Sequence, residues 1–249
     1  MTFLRTLIAV LALTGLAAPA LAAPVTIPTS LNPGDQYRLA FVTAGTRDAT
    51  STDIADYNAF VTAQANLSTE LAALGTTWTA IASTSAVDAR DNTGTNPSVD
   101  GTGVPIYVVN DLRLADDNSD LWGTFNCLVC IDTPLNTDQN GNLIDGEVWT
   151  GTTRAGWGFR VLGTTTLGMH PMTGLSTATS YEWTELGVPT DMNDSHHFYA
   201  FSGLLTIPTP PPDPTPAPEP STVMLFWVGS ASQIGQVSDH DRCGAPFWI

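Results

Sequence analysis

Alternating apolar and polar residues predict a first strand over Tyr37–Thr43. The spacing then changes to that of an amphipathic helix, whose apolar face is formed by Ile54, Tyr57, Phe60 and Val61. Thr52 or Asp53 can cap the N-terminus of this helix. A second helical turn is expected over Glu70–Leu74, ended by Gly75 in the position that glycine favours after a helix.

The other strand candidates are short apolar runs separated by turns rich in Thr, Gly, Asn and Asp. They are Trp78–Ser83, Val104–Val109, Val148–Thr152, Tyr181–Thr184 and Phe198–Thr206. No internal repeat is present in the sequence. The pattern predicts one α+β domain over residues 23–207, with short strands and one or two helices.

The composition changes after Ile207, where proline becomes frequent. Eight prolines lie between Pro208 and Pro220, and each fixes φ and removes a backbone donor. We therefore expect residues 208–217 to be a disordered but stiff and extended spacer.

The N-terminus reads as a secretory signal peptide over residues 1–22. Arg5 supplies the positive start, and Leu7–Leu16 is an apolar stretch too short to span a bilayer. Small residues end the segment, so we expect cleavage between Ala22 and Ala23.

Residues 218–228 begin with a short motif, Pro218, Glu219, Pro220, Ser221 and Thr222, and continue as an apolar run. This segment resembles the PEP-CTERM sorting signal of Gram-negative surface proteins. The resemblance implies processing by an exosortase-type enzyme and a location in the outer envelope or extracellular matrix.

The remainder of the tail departs from that family. Its members carry a full membrane span and then an arginine cluster, whereas Val223–Val228 provides six apolar residues and Arg242 one basic residue. Residues 229–249 read as an atypical, disordered end. We therefore expect transient membrane contact at most, through the C-terminal apolar segment.

Charge excludes several functions. The chain has a formal net charge of −16 and no lysine. Removal of the signal peptide takes away Arg5 and no acidic residue, so the mature chain is one unit more negative. Such a chain repels nucleic acid and anionic lipid. Schiff-base chemistry and a phosphate-binding P-loop both need lysine and are excluded.

A second resemblance covers the domain from about Leu39 to Leu205. Val104-Pro105-Ile106, Trp122, the VWxG element at Val148–Gly151 and the closing strand at Phe198–Phe201 are similar to the endostatin-type branch of the C-type-lectin-like fold. The cysteines typical of that fold are replaced by Ala55, Ala59 and Ala200. The EPN and WND signatures of calcium-dependent lectins are absent, so the resemblance implies a fold and not lectin activity.

Asp138, Asn140 and Asn142 alternate along one loop, as oxygen ligands do around Ca²⁺. Asp145 or Glu147 could complete the ligand shell. The alternative is a hairpin turn centred on Asn140-Gly141, since leucine stands where a calcium loop needs glycine. Calcium is the one cofactor that the sequence suggests.

Two further polar clusters have plain interpretations. The first is an acidic group expected to open a short helix, Asp116, Asp117, Asn118 and Asp120. The second precedes the last strand and comprises Asp191, Asn193, Asp194, His196 and His197. Adjacent histidines on a strand face opposite sides, which disfavours a shared metal. No HExxH or GxSxG motif occurs, and we predict no catalytic residues.

Cys127 and Cys130 are expected to form a small loop disulfide, as suits an exported protein. A thioredoxin-like redox role would require this cysteine pair at a strand-to-helix turn. Cys243 is then an odd thiol in the tail.

Trp157 is the candidate for ligand binding, because the flanking glycines in AGWGF leave its ring without bulky neighbours. Burial of Trp157 in the core is the alternative. The sequence therefore predicts a secreted, non-enzymatic matrix protein that binds neutral or cationic exopolysaccharide weakly. A secreted hydrolase with clustered carboxylates and a purely structural coat protein are the alternatives.

Export can be tested by fractionation. We expect the chain to lose residues 1–22 and to be recovered mainly in the medium or loosely in the envelope. Extension of the apolar run after Val228 should restore retention. Recovery of the unaltered chain as an integral membrane protein that resists high salt and alkali would contradict this expectation.

Overall fold

The computed structural model describes residues 23–123, 127–165, 168–187 and 191–211. The described residues up to Pro210 belong to the first of two units into which the chain divides. The strands of the first unit are β1 Gln36–Val42, β2 Trp78–Ala80, β3 Ile106–Val108, β4 Arg113–Ala115, β5 Glu147–Trp149, β6 Thr173–Leu175, β7 Tyr199–Ser202 and β8 Leu205–Thr206. Its helices are α1 Ile54–Ala65, α2 Thr69–Ala73, α3 Ala89–Asn92 and α4 Asn118–Leu121, with a 3-10 turn at Tyr181–Trp183. The domain is of the mixed α+β type, as predicted, but the described residues contain four α-helices and not the expected one or two.

The main sheet has the strand order β2-β7-β1-β3-β4, and β8 pairs with the start of β1. β1 and β3 run parallel, and the other pairs are antiparallel. β5 and β6 form a separate antiparallel pair. The parallel connection from β1 to β3 passes through α1, α2, β2 and α3, which gives the chain room for a crossover.

β1 is buried on both faces. Leu39 and Phe41 belong to one apolar cluster, whereas Ala40 and Val42 belong to a second. Successive side chains of a strand point to opposite faces, so β1 separates two cores. A strand that is covered on both sides must be apolar at nearly every position, and the AFV end of β1 meets that requirement.

Helix α1 covers the first core. Asp53 is its N-cap and accepts a hydrogen bond from the Ala55 N–H at 2.9 Å. Tyr57, Val61 and Ala65 recur every four residues and are buried. The predicted apolar face of this helix is therefore confirmed at Tyr57 and Val61.

One predicted strand is wrong. Tyr181–Trp183 forms a 3-10 turn and not part of a strand over Tyr181–Thr184. The Ser180 hydroxyl accepts a hydrogen bond from the Glu182 N–H at 3.4 Å, which starts the turn. Trp183 is fully buried, so its aromatic character serves the core and not strand pairing.

The predicted closing strand over Phe198–Thr206 is divided into β7 and β8. β7 pairs Phe201 with Ala40, whereas β8 pairs Thr206 with Gln36, a register shifted by one residue. The shift is a β-bulge. At this point the Ser202 hydroxyl, in place of a backbone carbonyl, accepts the Leu39 N–H at 2.8 Å.

β5 is shorter than the predicted Val148–Thr152. Gly151 has a φ of +60°, and an added Cβ would lie 2.7 Å from the Ser83 carbonyl oxygen. The chain therefore leaves the strand direction at a position that only glycine fits. Val148 and Trp149 point to opposite sides, and both are fully buried because each side has its own core.

Replacement of Trp149 tests this packing. Trp149→Ala should lower the free energy of unfolding by about 3–5 kcal/mol, the usual cost of removing a buried aromatic side chain. Chemical denaturation provides the measurement. Trp157→Ala is the matched control, expected to cost less than about 1 kcal/mol because Trp157 is half exposed. Equal midpoints for the Trp149 variant and the parent would contradict the burial of Trp149.

Candidate functional site

A short hairpin over residues 152–158 follows β5 and carries Trp157 near its end; we call it the Trp157 hairpin. Its arms pair as an antiparallel bridge. The Thr153 N–H donates to the Trp157 carbonyl at 2.9 Å, and the Gly156 N–H donates to the Thr153 carbonyl at 2.9 Å. Gly156 has a φ of +75°, which allows this tight reversal.

A column of aromatic rings supports the hairpin from the core side. Tyr199 of β7 contacts Trp183 at a centroid distance of 5.8 Å, and Trp183 stacks with Trp122 at 6.0 Å. The Trp122 indole N–H donates to the Thr95 hydroxyl at 2.9 Å, which fixes the ring. Trp122 lies directly beneath Gly156, where an added Cβ would be 2.8 Å from two ring carbons.

Helix α3 holds the hairpin from one side. The Arg90 N–H donates to the Gly156 carbonyl at 3.3 Å, and the Gly158 N–H donates to the Asp88 carboxylate at 2.7 Å. The Arg90 guanidinium lies over the Trp157 ring, 4.1 Å from its centroid. This cation–π contact covers one face of the indole.

The 3-10 turn holds the hairpin from the other side. Arg154 forms a salt bridge with Glu185 at 3.0 Å. The Arg154 guanidinium also lies 4.4 Å from the centroid of the Tyr181 ring. Both ends of the hairpin tip are thus tied to neighbouring elements, so Trp157 is carried by a braced loop.

Exposure separates Trp157 from the other tryptophans of the domain. Its side chain is 55% exposed, whereas Trp122 is 6% exposed and Trp149 and Trp183 are fully buried. An exposed indole beside backbone amides and a guanidinium can stack with a flat apolar face and hydrogen-bond its polar edge. The site can therefore bind a ring-shaped ligand that has a flat apolar face and a polar edge.

The Asp138 loop is a hydrogen-bonded turn. One Asp138 carboxylate oxygen accepts the N–H groups of Asn140 and Asn142, each at 2.8 Å. The other oxygen accepts the Asn142 side-chain amide at 3.1 Å. Gly141 has a φ of +84°, as the hairpin interpretation requires. Calcium would have to replace these donors, and its binding stays a prediction.

Cys127 and Cys130 form a disulfide, with their Cα atoms 5.2 Å apart. Cys130 is buried against the second core. Leu128 and Val129 between them are exposed at the surface. Cys243 lies outside the described residues.

The acidic cluster opens helix α4 as predicted. Asp117 is the N-cap and accepts the N–H groups of Ser119 and Asp120. Asp116 forms a salt bridge with Arg113, which also contacts Asp132 at 3.1 Å. These side chains cap a helix and pair at the surface.

A groove of about 460 Å³ lies beside that acidic cluster. It is lined by Ser30, Tyr107, Asp111, Leu112, Arg113, Asp132 and Thr133. Asp111 accepts the N–H and hydroxyl of Thr29 at 2.8 and 2.5 Å, and Asp132 contacts Arg113. The carboxylates of this groove are therefore engaged with partners of the domain.

The histidine cluster is spread over separate surroundings. The His196 ring contacts Trp149 edge-on at 4.9 Å, whereas His197 Nδ1 lies 2.6 Å from the Thr43 carbonyl. Hydrogen bonds from the Asn193 backbone and side chain lower the pKa of Asp191. Within the described ranges, no group of three or more His, Cys, Asp or Glu side chains is arranged to hold a metal ion.

The segments in which the sequence predicts export signals lie outside the described residues. These are residues 1–22, with the cleavage position at Ala22, and the sorting segment 218–228 with its motif at Pro218–Thr222. Among the helices of the described part of the chain, none combines the length and apolar character that a membrane span needs.

Arg90 is the site residue that sequence reasoning missed. It lies in α3, which was absent from the predicted elements together with β4 and β6. The signal was present but short: Asp88 occupies the N-cap position of this one-turn helix, and Gly94 follows its end with a φ of +62°. The approach of Arg90 to Trp157, 67 positions later, has no local signature.

Comparison of the chain with protein-family profiles, with curated proteins and with solved structures finds no significant match.

The fit between Gly156 and Trp122 can be tested by adding one methyl group. Gly156→Ala should destabilise the domain by about 1–3 kcal/mol and change the fluorescence of Trp157, because the new Cβ would displace the hairpin. Gly101→Ala is the matched control, since Gly101 has a φ of +71° but no atom within 4 Å of an added Cβ. Equal effects of the two substitutions would show that backbone strain, and not contact with Trp122, is responsible.

Proposed function

We propose that this chain is a secreted, surface-sorted and non-enzymatic protein that binds extracellular polysaccharide through the Trp157 hairpin. The observation that carries the proposal is the 55% exposure of Trp157 on a loop braced from three sides. An exposed indole on a rigid support loses little conformational entropy when a ligand stacks on it. The site is an open surface, which suits a polymer better than an enclosed small molecule.

The sequence elements at both ends support the location. The signal peptide and the PEP-CTERM-like motif imply export and contact with an exosortase-type processing enzyme. Polysaccharide of the matrix offers alternating apolar and hydroxyl faces on which an exposed indole can stack. A chain with net charge −16 is poorly suited to nucleic acid.

The finer fold assignment is also a proposal. We infer an endostatin-type C-type-lectin-like arrangement, since the element that contains Ile106 pairs beside β1 and the closing strand pairs on its other side. The VWxG element forms β5 against β6, next to the core. The candidate binding surface around Trp157 does not depend on this assignment.

The hydrolase alternative would require two carboxylates free to act on one glycosidic bond. Asp132 of the groove pairs with Arg113, and Asp111 accepts two hydrogen bonds from Thr29. A general acid also needs a raised pKa, whereas hydrogen bonds from Asn193 lower the pKa of Asp191 in the histidine cluster. These observations favour the binding function over the enzyme.

Binding is tested with the full chain on a panel of immobilised neutral, basic and acidic polysaccharides, with and without EDTA. We expect weak binding that Trp157→Ala reduces at least about tenfold, or about 1.4 kcal/mol. Sensitivity to EDTA would support a calcium contribution from Asp138, Asn140 and Asn142.

Leu112→Ala is the control for this experiment, since Leu112 is 51% exposed and lines the other groove. It should leave binding unchanged. Loss of binding in the Leu112 variant with retention in the Trp157 variant would move the site to that groove. Absence of binding to every polymer would leave the structural coat protein as the better account.

A further inference from the structure

Arg90 differs from the other arginines of the described residues in how its charge is used. Arg113 and Arg154 form salt bridges with carboxylates. Three others, Arg38, Arg47 and Arg160, donate to backbone carbonyls. Within the same part of the chain, the side chain of Arg90 has neither kind of partner: its guanidinium lies on the Trp157 ring, and its buried Nε lacks a hydrogen-bond partner.

The acidic residues near Arg90 in the sequence accept hydrogen bonds from groups other than Arg90. Asp88 accepts the Gly158 N–H, and Asp91 accepts the Asn96 side-chain amide. Glu185, across the hairpin, pairs with Arg154. Arg90 is therefore a cation beside an exposed ring whose charge is not matched by a direct carboxylate contact among the described residues.

We propose that the Trp157–Arg90 pair selects saccharides that carry a carboxylate, as uronic acid units do. This inference rests on the proposed polysaccharide-binding function and names its ligand class. A sugar ring would stack on the face of Trp157 that Arg90 leaves open. The carboxylate of a neighbouring unit of the same polymer, past the indole edge, would then meet the guanidinium on the other face, whose donors match carboxylate geometry.

The inference differs from the expectation, based on net charge, of neutral or cationic polymers, and that expectation stays a prediction. Electrostatic interactions are screened beyond about 8 Å at physiological ionic strength. Asp88 and Glu185 contact the hairpin, but each is engaged with one of its donors, whereas Arg90 would contact the ligand. The net charge slows association of an acidic polymer, and the local pair decides which sugar is retained.

The test uses one polymer in two charge states, polygalacturonate and its fully methyl-esterified form, with the full chain at physiological ionic strength. We expect about tenfold tighter binding to the acid, the effect of one partly exposed charge-assisted contact. Arg90→Gln should remove this preference and keep binding to the ester within about twofold. Arg90→Lys should retain part of the preference, because it retains the charge.

Arg113→Gln is the matched control, since it removes the same charge from a surface outside the hairpin and should leave the preference unchanged. If Arg113→Gln also lost the preference for the acidic polymer, net charge and not Arg90 would be responsible for that preference. An equal loss of affinity for both polymers in Arg90→Gln would mean that Arg90 only supports the ring. Binding of the ester alone by the parent would overturn this inference and leave the proposed function standing, whereas absence of binding to any polysaccharide would overturn both.

Discussion

The burial of β1 on both faces is the constraint on which the rest of the structure depends. Side chains of alternate residues enter two different cores, so α1 must cover one side while α4 and the 3-10 turn cover the other. The parallel pairing with β3 and the antiparallel pairing with β7 fix the centre of the sheet. A one-residue slip of β1 would exchange the contents of both cores, which strongly specifies its register.

The second core extends from β1 to the candidate site through aromatic contacts. Tyr199, Trp183 and Trp122 lie one after another, and the last ring supports Gly156. Because packed aromatic side chains resist displacement, the hairpin above them has a defined height over the core. The position of the exposed Trp157 therefore depends on the packing of the second core as well as on its own loop.

Local sequence patterns predicted what depends on near neighbours. The α1 face and its Asp53 cap follow from spacing within a few residues, whereas the predicted apolar–polar alternation of β1 is wrong beyond Leu39, since Ala40, Phe41 and Val42 are all buried. The predicted strand at Tyr181–Trp183 is wrong because the Ser180 cap outweighed the strand-like composition of this segment. The bulge between β7 and β8 was not predicted because it arises from pairing with β1. At the site, the glycines around Trp157 were informative, whereas Arg90 came from a helix that is distant in sequence and short enough to escape periodicity analysis.

The central claim is that a ligand meets the chain at Trp157, and NMR titration of the tryptophan indole N–H signals tests it most directly. The Trp157 signal can be assigned from the Trp157→Phe variant, and the chain titrated with oligogalacturonate. The account predicts that the Trp157 signal shifts with saturation, while those of the buried Trp149 and Trp183 remain in place. An unmoved Trp157 signal, with shifts at backbone amides lining the Arg113 groove instead, would contradict it.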